Sequence, residues 1–370
     1  MSCRSYIPLS LILINYTFIT FMEKKTVLLD LAELRNPTCG FGQIVTNYAK
    51  IYSEMQDPDI QFHFLLPRGF VRDFGPNVQV TNRLGDKAHL GLPDAFLWHT
   101  TNQHQLRMPR GKSEKFVLTI HDLNYNSEKG WLSRMKHHYR IQKAIKRADA
   151  VTCISGFVAK QIEEEFDMHG KHVQVIYNGV EDISGQQEAK PDFATGRPFF
   201  FTIGQIRKKK NFHLLVDMMR HFPDYDLYVC GDDHFDYARE MKKHIAKLPA
   251  HNAYLCGKVS QAEKVWLYSH CEAFVFASQG EGFGLPVIEA MQFGKPVFSS
   301  NCTCLPEICG DAAYVWSDLN PDHMAQQLQE QLPRMQQDPT HADRVRAHAA
   351  QFTYDKHIAQ YMELYRRLVK

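Results

Sequence analysis

Glu281 and Glu289 stand with seven residues between them in Ser278-Gln-Gly-Glu-Gly-Phe-Gly-Leu-Pro-Val-Ile-Glu-Ala-Met-Gln-Phe-Gly-Lys-Pro-Val297. A carboxylate accepts two hydrogen bonds side by side, so this pair suits a hydroxyl-rich ligand. Gly282 and Gly284 lack a Cβ and let the backbone come close to such a ligand. The elements around them fit that use. Ala273-Phe-Val-Phe-Ala277 has the length and composition of a buried strand, and Leu285 to Phe293 reads as a helix with Pro286 in its first turn. The glycines therefore lie where a strand hands over to a helix N-terminus, whose free N–H groups and dipole suit a phosphate or a sugar. An ordinary strand-to-helix turn with a solvated glutamate would share that local geometry.

Other polar residues recur at strand ends. Phe116-Val-Leu-Thr-Ile-His-Asp122 reads as a buried strand ending in His121-Asp122, a pair aimed at a ligand crevice if the sheet is parallel. Phe199-Phe-Phe-Thr-Ile203 reads as another, followed by Gly204-Gln-Ile-Arg-Lys-Lys-Lys-Asn211 and a helix carrying Leu214, Leu215 and Met218. Arg207, Lys208, Lys209 and Lys210 crowded at a crevice call for an anion to offset their repulsion. Near the start, Thr26 to Leu31 is an apolar strand. A loop, Asn36-Pro-Thr-Cys-Gly-Phe-Gly42, then leads into a helix over 43–55 without a full G-x-G-x-x-G.

The wording E-G-F-G-L-P-V-I-E, continued by Gly294-Lys-Pro-Val297, closely resembles the signature of the retaining GT-B glycosyltransferases of the large group 1 family (family 4), mannosyltransferases among them. The resemblance runs through nearly everything from Met22 onward. It implies an α/β fold of two Rossmann-like domains facing each other across a cleft, with a C-terminal helix crossing back to the N-terminal domain. It also implies a metal-independent enzyme without cofactor, whose donor is a nucleotide-diphosphate sugar. By the same resemblance Glu281 lies beside the transferred sugar, Glu289 accepts the ribose hydroxyls, and His121 in T-I-H-D-L contacts the sugar near its reacting end. Lys210-Asn211 matches the family's K-N and grips the diphosphate. The family's frequent Arg after the glycine is Gln205 here, leaving Arg207 or Lys209 to supply that charge beside Gly204. Phe283 and Leu285 complete the donor turn, Gly40 and Gly42 match the loop that approaches the diphosphate, and Tyr254 to Ser260, including Val259, resembles the segment lining the nucleobase pocket. Retention is expected by front-face attack, with the leaving phosphate helping to deprotonate the acceptor and Glu281 not acting as nucleophile. GDP-mannose is the preferred donor by resemblance, with UDP-sugars open, and the acceptor is a glycan or lipid-linked sugar of surface polysaccharide synthesis.

At 370 residues two domains are expected: 22–183 on the acceptor side, a turn-rich linker at 184–198, a nucleotide-sugar domain at 199–352, and a crossing helix at 353–370. Residues 1–21 read as a start-site artefact ahead of Met22, with a weak membrane anchor as the alternative. A formal net charge of +2 gives no reason to expect nucleic acid, and nine scattered cysteines fit free thiols in a reducing cytoplasm. Asp232-Asp233 lacks metal-ligand spacing, Asn178-Gly179 reads as a turn, and Leu305 to Asp311 reads as structural. Between Lys129 and Arg147 lie seven Lys/Arg and no acid, with Leu132, Met135 and Tyr139 at helical spacing. That segment is either a basic amphipathic helix for anionic membrane at the inner face, or a solvated face whose apolar stripe packs on the sheet. Two rival functions are a nucleotide-sugar 2-epimerase of the same fold and a catalytically silent binding subunit.

Overall fold

A computed structural model describes residues 24–36, 40–82, 94–103, 108–109, 115–128, 130–248 and 252–370. The expectation for residues 1–21 lies outside them. Two sheets organise the chain. The first holds β1 (Lys25–Asp30), β2 (Ile60–Leu66), β3 (Val78–Asn82), β4 (Leu97–Thr100), β5 (Lys115–Ile120), β6 (Ala150–Cys153) and β7 (Val173–Val175), in the order β3-β2-β1-β4-β5-β6-β7. The second holds β8 (Phe199–Ile203), β9 (Asp226–Cys230), β10 (Ala253–Gly257), β11 (Ala273–Phe276), β12 (Val297–Ser299) and β13 (Tyr314–Val315), ordered β10-β9-β8-β11-β12-β13. Every pairing is parallel. Helices cover both faces, which is why strands such as Phe199-Phe-Phe and Ala273-Phe-Val-Phe are continuous apolar runs rather than alternating ones. Apolar clusters accordingly lie on each side of each sheet.

In such sheets ligands bind beyond the carboxyl ends of the strands where strand order reverses. That point falls between β1 and β4 in the first sheet and between β8 and β11 in the second. The segments leaving β8 and β11 are the ones carrying Lys210 and Glu281.

Several boundaries differ from expectation. β5 ends at Ile120, so His121 and Asp122 sit just past the strand. The first long helix is Gly40–Glu54, three residues earlier than predicted, placing Gly40 and Gly42 in its first turn rather than in a loop. Asn178-Gly179 forms no turn. Gly179 is instead where the last helix crosses closely, because a Cβ there would lie 2.7 Å from the Tyr354 Cα. The basic helix is Trp131–Arg147, and it buries Ile141, Ala144 and Ile145 while Leu132, Met135 and Tyr139 stay exposed, so that apolar stripe does not pack on the sheet.

The terminal helix Tyr354–Val369, capped by Thr353, buries Ile358, Tyr361, Met362 and Tyr365 in the core of the first sheet. Its polar atoms are satisfied there. Tyr361 Oη lies 2.9 Å from Thr119 Oγ1, Tyr365 Oη 2.6 Å from His99 Nδ1, and His357 Nε2 2.6 Å from Tyr48 Oη. His357 Nδ1 donates to the Tyr177 carbonyl, which leaves Nε2 to accept from Tyr48 and keeps the ring neutral. Burial holds His357 down to about 4 and His99 to about 3. An unfolded histidine takes its proton near 6.5. The stabilisation is therefore complete above that pH and declines as pH falls towards the folded values, by about 2 kcal/mol per histidine at pH 5. Urea unfolding at pH 7 and pH 5 should show this loss. His357→Gln should lower its pH slope by about one proton, and an unchanged slope would contradict the assignment.

Candidate active site

Three segments meet between the sheets. From the second sheet, the Lys210 ammonium forms an ion pair with Glu281, both side chains largely shielded from solvent. Lys210 lies at the end of a short 3-10 turn, Lys208–Lys210, which Asn211 closes in the left-handed region at φ 52°. Asn211 holds this turn against β11 by donating to the Ala277 carbonyl at 3.1 Å. The Glu281 segment is fixed from the other side: its N–H donates to Thr303 Oγ1 (3.2 Å), and its carbonyl accepts from Cys304 Sγ (3.3 Å). Gly284 caps the helix Leu285–Gln292 at φ 100°, a conformation that favours glycine.

From the first sheet, His121 is buried, donates from Nε2 to the Thr101 carbonyl at 2.8 Å, and meets the Phe41 ring edge-on at 4.8 Å. Thr101 follows β4 and Phe41 opens the helix after β1, so both strands at the first switch point contribute to its setting. The two halves touch at Gly282. A Cβ on it would lie 2.3 Å from the His121 carbonyl oxygen, and Ser155 Oγ donates to the Gly282 carbonyl at 2.9 Å across the same boundary. Leu285 packs beside Gly40 in like fashion, 3.7 Å from where its Cβ would be.

The remaining expected residues fall into two groups. Gly204 and Lys209 border the site: Lys210 Cε lies 3.5 Å from a Cβ position on Gly204, and the Lys209 chain runs beside Gly280. Arg207 places its guanidinium over the Phe235 ring at 5.2 Å, on the β9 side of the loop. Phe283 is buried between Tyr177 and Phe352, so its side chain is core and only its backbone faces the turn. Val259 is half-buried just before Ser260, whose hydroxyl and the Glu263 carboxylate form a reciprocal helix cap. Gly42 is buried in the helix after β1. Asp232 and Asp233 pair with Lys258 and Lys242, and no cluster suited to a metal occurs among the described residues.

Glu289 is buried with two partners that the sequence reading missed. Lys264 Nζ reaches Oε1 at 2.9 Å, and Tyr268 Oη donates to Oε2 at 2.8 Å. These stand four apart, on one face of the helix Gln261–His270, and that spacing was the available signal. Burial, then the neighbouring Glu289 charge, drives the Tyr268 pKa up, so its hydroxyl stays a donor. Glu307 was also missed. Its carboxylate, from the second domain, accepts from the N–H groups of Gly156 (2.6 Å) and Phe157 (2.9 Å) at the start of the helix Gly156–Glu165 in the first, and from Tyr177 Oη at 2.9 Å. A segment read as structural thus ties the two domains together beside the Ser155–Gly282 bond.

Comparison with known proteins agrees with this arrangement. The family described as Glycosyl transferases group 1 matches residues 184–352, and Glycosyltransferase Family 4 matches 47–182. The O-antigen chain mannosyltransferase RfbU of Salmonella typhimurium is 26% identical over 69% of this chain and 69% of its own. The serotype-specific mannosyltransferase WbdA of Escherichia coli is 27% identical over 55% of this chain, a match spanning only 26% of WbdA's length. Among solved structures, sucrose-phosphate synthase from Thermosynechococcus elongatus superposes with a TM-score of 0.74 over 94% of this chain and 99% of its own, at 16% identity. Anabaena HepE, crystallised with UDP and glucose, gives 0.71 over 93% and 100%, at 18% identity. With two parallel-sheet Rossmann-like domains in the GT-B arrangement, the chain belongs to the group 1 glycosyltransferases and is mannosyltransferase-like among them.

Proposed function

We propose that this glycosyltransferase is a retaining, metal-independent hexosyltransferase. It moves mannose from GDP-mannose to a glycan or lipid-linked acceptor in surface polysaccharide synthesis, at the cytoplasmic face of the membrane. The observation that carries this is the Lys210–Glu281 pair at the second switch point, one residue from the Gly282–His121 contact. The mannose preference draws on the mannosyltransferases RfbU and WbdA. The cytoplasmic setting draws on cysteines that are all free among the described residues. Burial pushes the thiols of Cys153, Cys271 and Cys309 up to about 12, so they are inert.

Sugar transfer breaks the bond from the anomeric carbon to the diphosphate and forms one to the acceptor oxygen. Negative charge grows on the departing diphosphate. Lys210, a second cation from Arg207 or Lys209, and the N–H groups opening the helix Leu285–Gln292 meet it. The phosphates compete with Glu281 for Lys210. Glu281 is thereby released to accept sugar hydroxyls and favour positive charge at the anomeric carbon, while His121 holds the sugar from the opposite side. The acceptor proton passes to a departing phosphate oxygen on the same face, which retains configuration. Glu289 receives the ribose hydroxyls in place of Lys264.

A thermal-shift panel of sugar nucleotides tests this reading. One donor should raise the midpoint by several degrees, since ligand at a hundred times its Kd adds about 2.7 kcal/mol. A flat response across GDP- and UDP-sugars would sink it. Glu289→Ala should raise the donor KM about tenfold while changing kcat less, as expected where binding is lost equally from ground and transition states. An unaltered donor KM would remove Glu289 from the ribose site.

A further inference from the structure

Four of the seven exposed large apolar side chains among the described residues sit on one helix, Trp131–Arg147. Trp131 is 66% exposed, Leu132 68%, Met135 59% and Tyr139 69%, so none has a partner in the folded chain to bury it. At about 100° per residue the four share one arc. Lys136, Arg140 and Lys143 occupy the adjoining arc, and Ile141, Ala144 and Ile145 occupy the face turned to the sheet. The helix contains no acid. An exposed stripe combining Trp, Tyr, Met and Leu, bordered by cations, costs free energy in water. It matches the boundary between lipid headgroups and acyl chains, where aromatic rings settle and cations meet anionic phosphates.

We infer that the helix Trp131–Arg147 is a docking surface for an anionic phospholipid bilayer, inserting Trp131, Leu132, Met135 and Tyr139 below the headgroups while Lys136, Arg140 and Lys143 bind their phosphates. Its place in the fold gives the docking a use. The helix follows β5 and precedes the parallel β6, so its Trp131 end lies at the carboxyl edge of the sheet, the edge where His121 sits. Tyr125, four residues after His121, stacks on His137 of this helix at 5.5 Å, so the segment leaving His121 packs directly on the helix. Docking therefore brings the mouth of the cleft to the membrane plane, within reach of an acceptor anchored there. The inference does not depend on the donor or on the stereochemistry proposed above.

Flotation of the full chain with vesicles tests it, using phosphatidylcholine alone and phosphatidylcholine mixed with phosphatidylglycerol. The wild type should float with the anionic vesicles, much less with the neutral ones, and progressively less as salt is raised. Lys136→Ala with Lys143→Ala should weaken partitioning about thirtyfold, from the contribution of each cation near a charged surface. Trp131→Ser with Tyr139→Ser should weaken it at least tenfold. Both variants should keep the wild-type unfolding midpoint, which separates lost docking from lost folding. Equal flotation with both vesicle types, or none with either, overturns the proposal. So does binding that survives both double variants but disappears when residues 1–23 are removed, because the segment preceding β1 would then be the anchor. A wild-type dimer that Trp131→Ser with Tyr139→Ser converts to monomer overturns it too, by assigning the stripe to a second copy of this chain.

Discussion

Replacing Glu281 by alanine is expected to lower kcat by about a hundredfold or more, with the donor KM unchanged or reduced. The asymmetry follows from its partner. Glu281 holds Lys210 in an ion pair, so the proposed diphosphate binding requires that contact to be exchanged. Alanine removes the competitor and leaves Lys210 available to the phosphates, which favours donor binding. It also removes the only acid that the pair offers to the developing charge on the sugar, which slows the chemical step. Glu281→Gln keeps the hydrogen-bonding shape without the charge and should recover only part of the rate. Steady-state kinetics with the selected donor decides the matter: a wild-type kcat in Glu281→Ala would remove this residue from the reaction.

Gly282→Ala should be nearly as damaging for a purely geometric reason. The added Cβ would sit 2.3 Å from the His121 carbonyl oxygen and 3.2 Å from Ile154 Cδ1. Backbone cannot rotate away as a flexible side chain can, so the two domains must separate by about 1 Å, and a displacement of that size costs on the order of a hundredfold in rate. The Ser155–Gly282 hydrogen bond and the Glu307 contacts with Gly156 and Phe157 lie on the same boundary and would be stretched together. Because the clash lies between domains, the variant should unfold at nearly the wild-type midpoint while kcat/KM falls. Wild-type kcat/KM would mean that this close approach is not needed for turnover.

Much of this was readable from the chain alone, for identifiable reasons. Parallel strands buried on both faces write themselves as unbroken apolar runs, which is why Phe199 to Ile203 and Ala273 to Phe276 stood out. The segments after them stood out because glycines, a cation cluster and two spaced acids are rare in such positions. Harder to see was anything set by contact between distant segments. Lys264 and Tyr268 hold Glu289 from a helix more than twenty residues earlier, and the four-residue spacing that puts them on one face does not say which distant acid they meet. Glu307 sits in the first turn of a short helix of its own domain, yet it satisfies the N-terminus of a helix in the other one. Gly179 looked like a turn because Asn-Gly favours one, but the crossing helix overrode that preference by approaching too closely for any side chain. The helix Trp131–Arg147 carried two compatible readings, since periodicity reveals an apolar stripe without saying what covers it.

Central to the proposed chemistry is the grip of Lys210 on a departing diphosphate. Titration calorimetry of the wild type and Lys210→Ala with a nucleoside diphosphate and its monophosphate, the base being that of the donor chosen by the thermal-shift panel, tests it most directly. The wild type should bind the diphosphate at least tenfold more tightly than the monophosphate, and Lys210→Ala should abolish most of that preference while leaving monophosphate binding nearly intact. A diphosphate preference that persists undiminished in Lys210→Ala would contradict it.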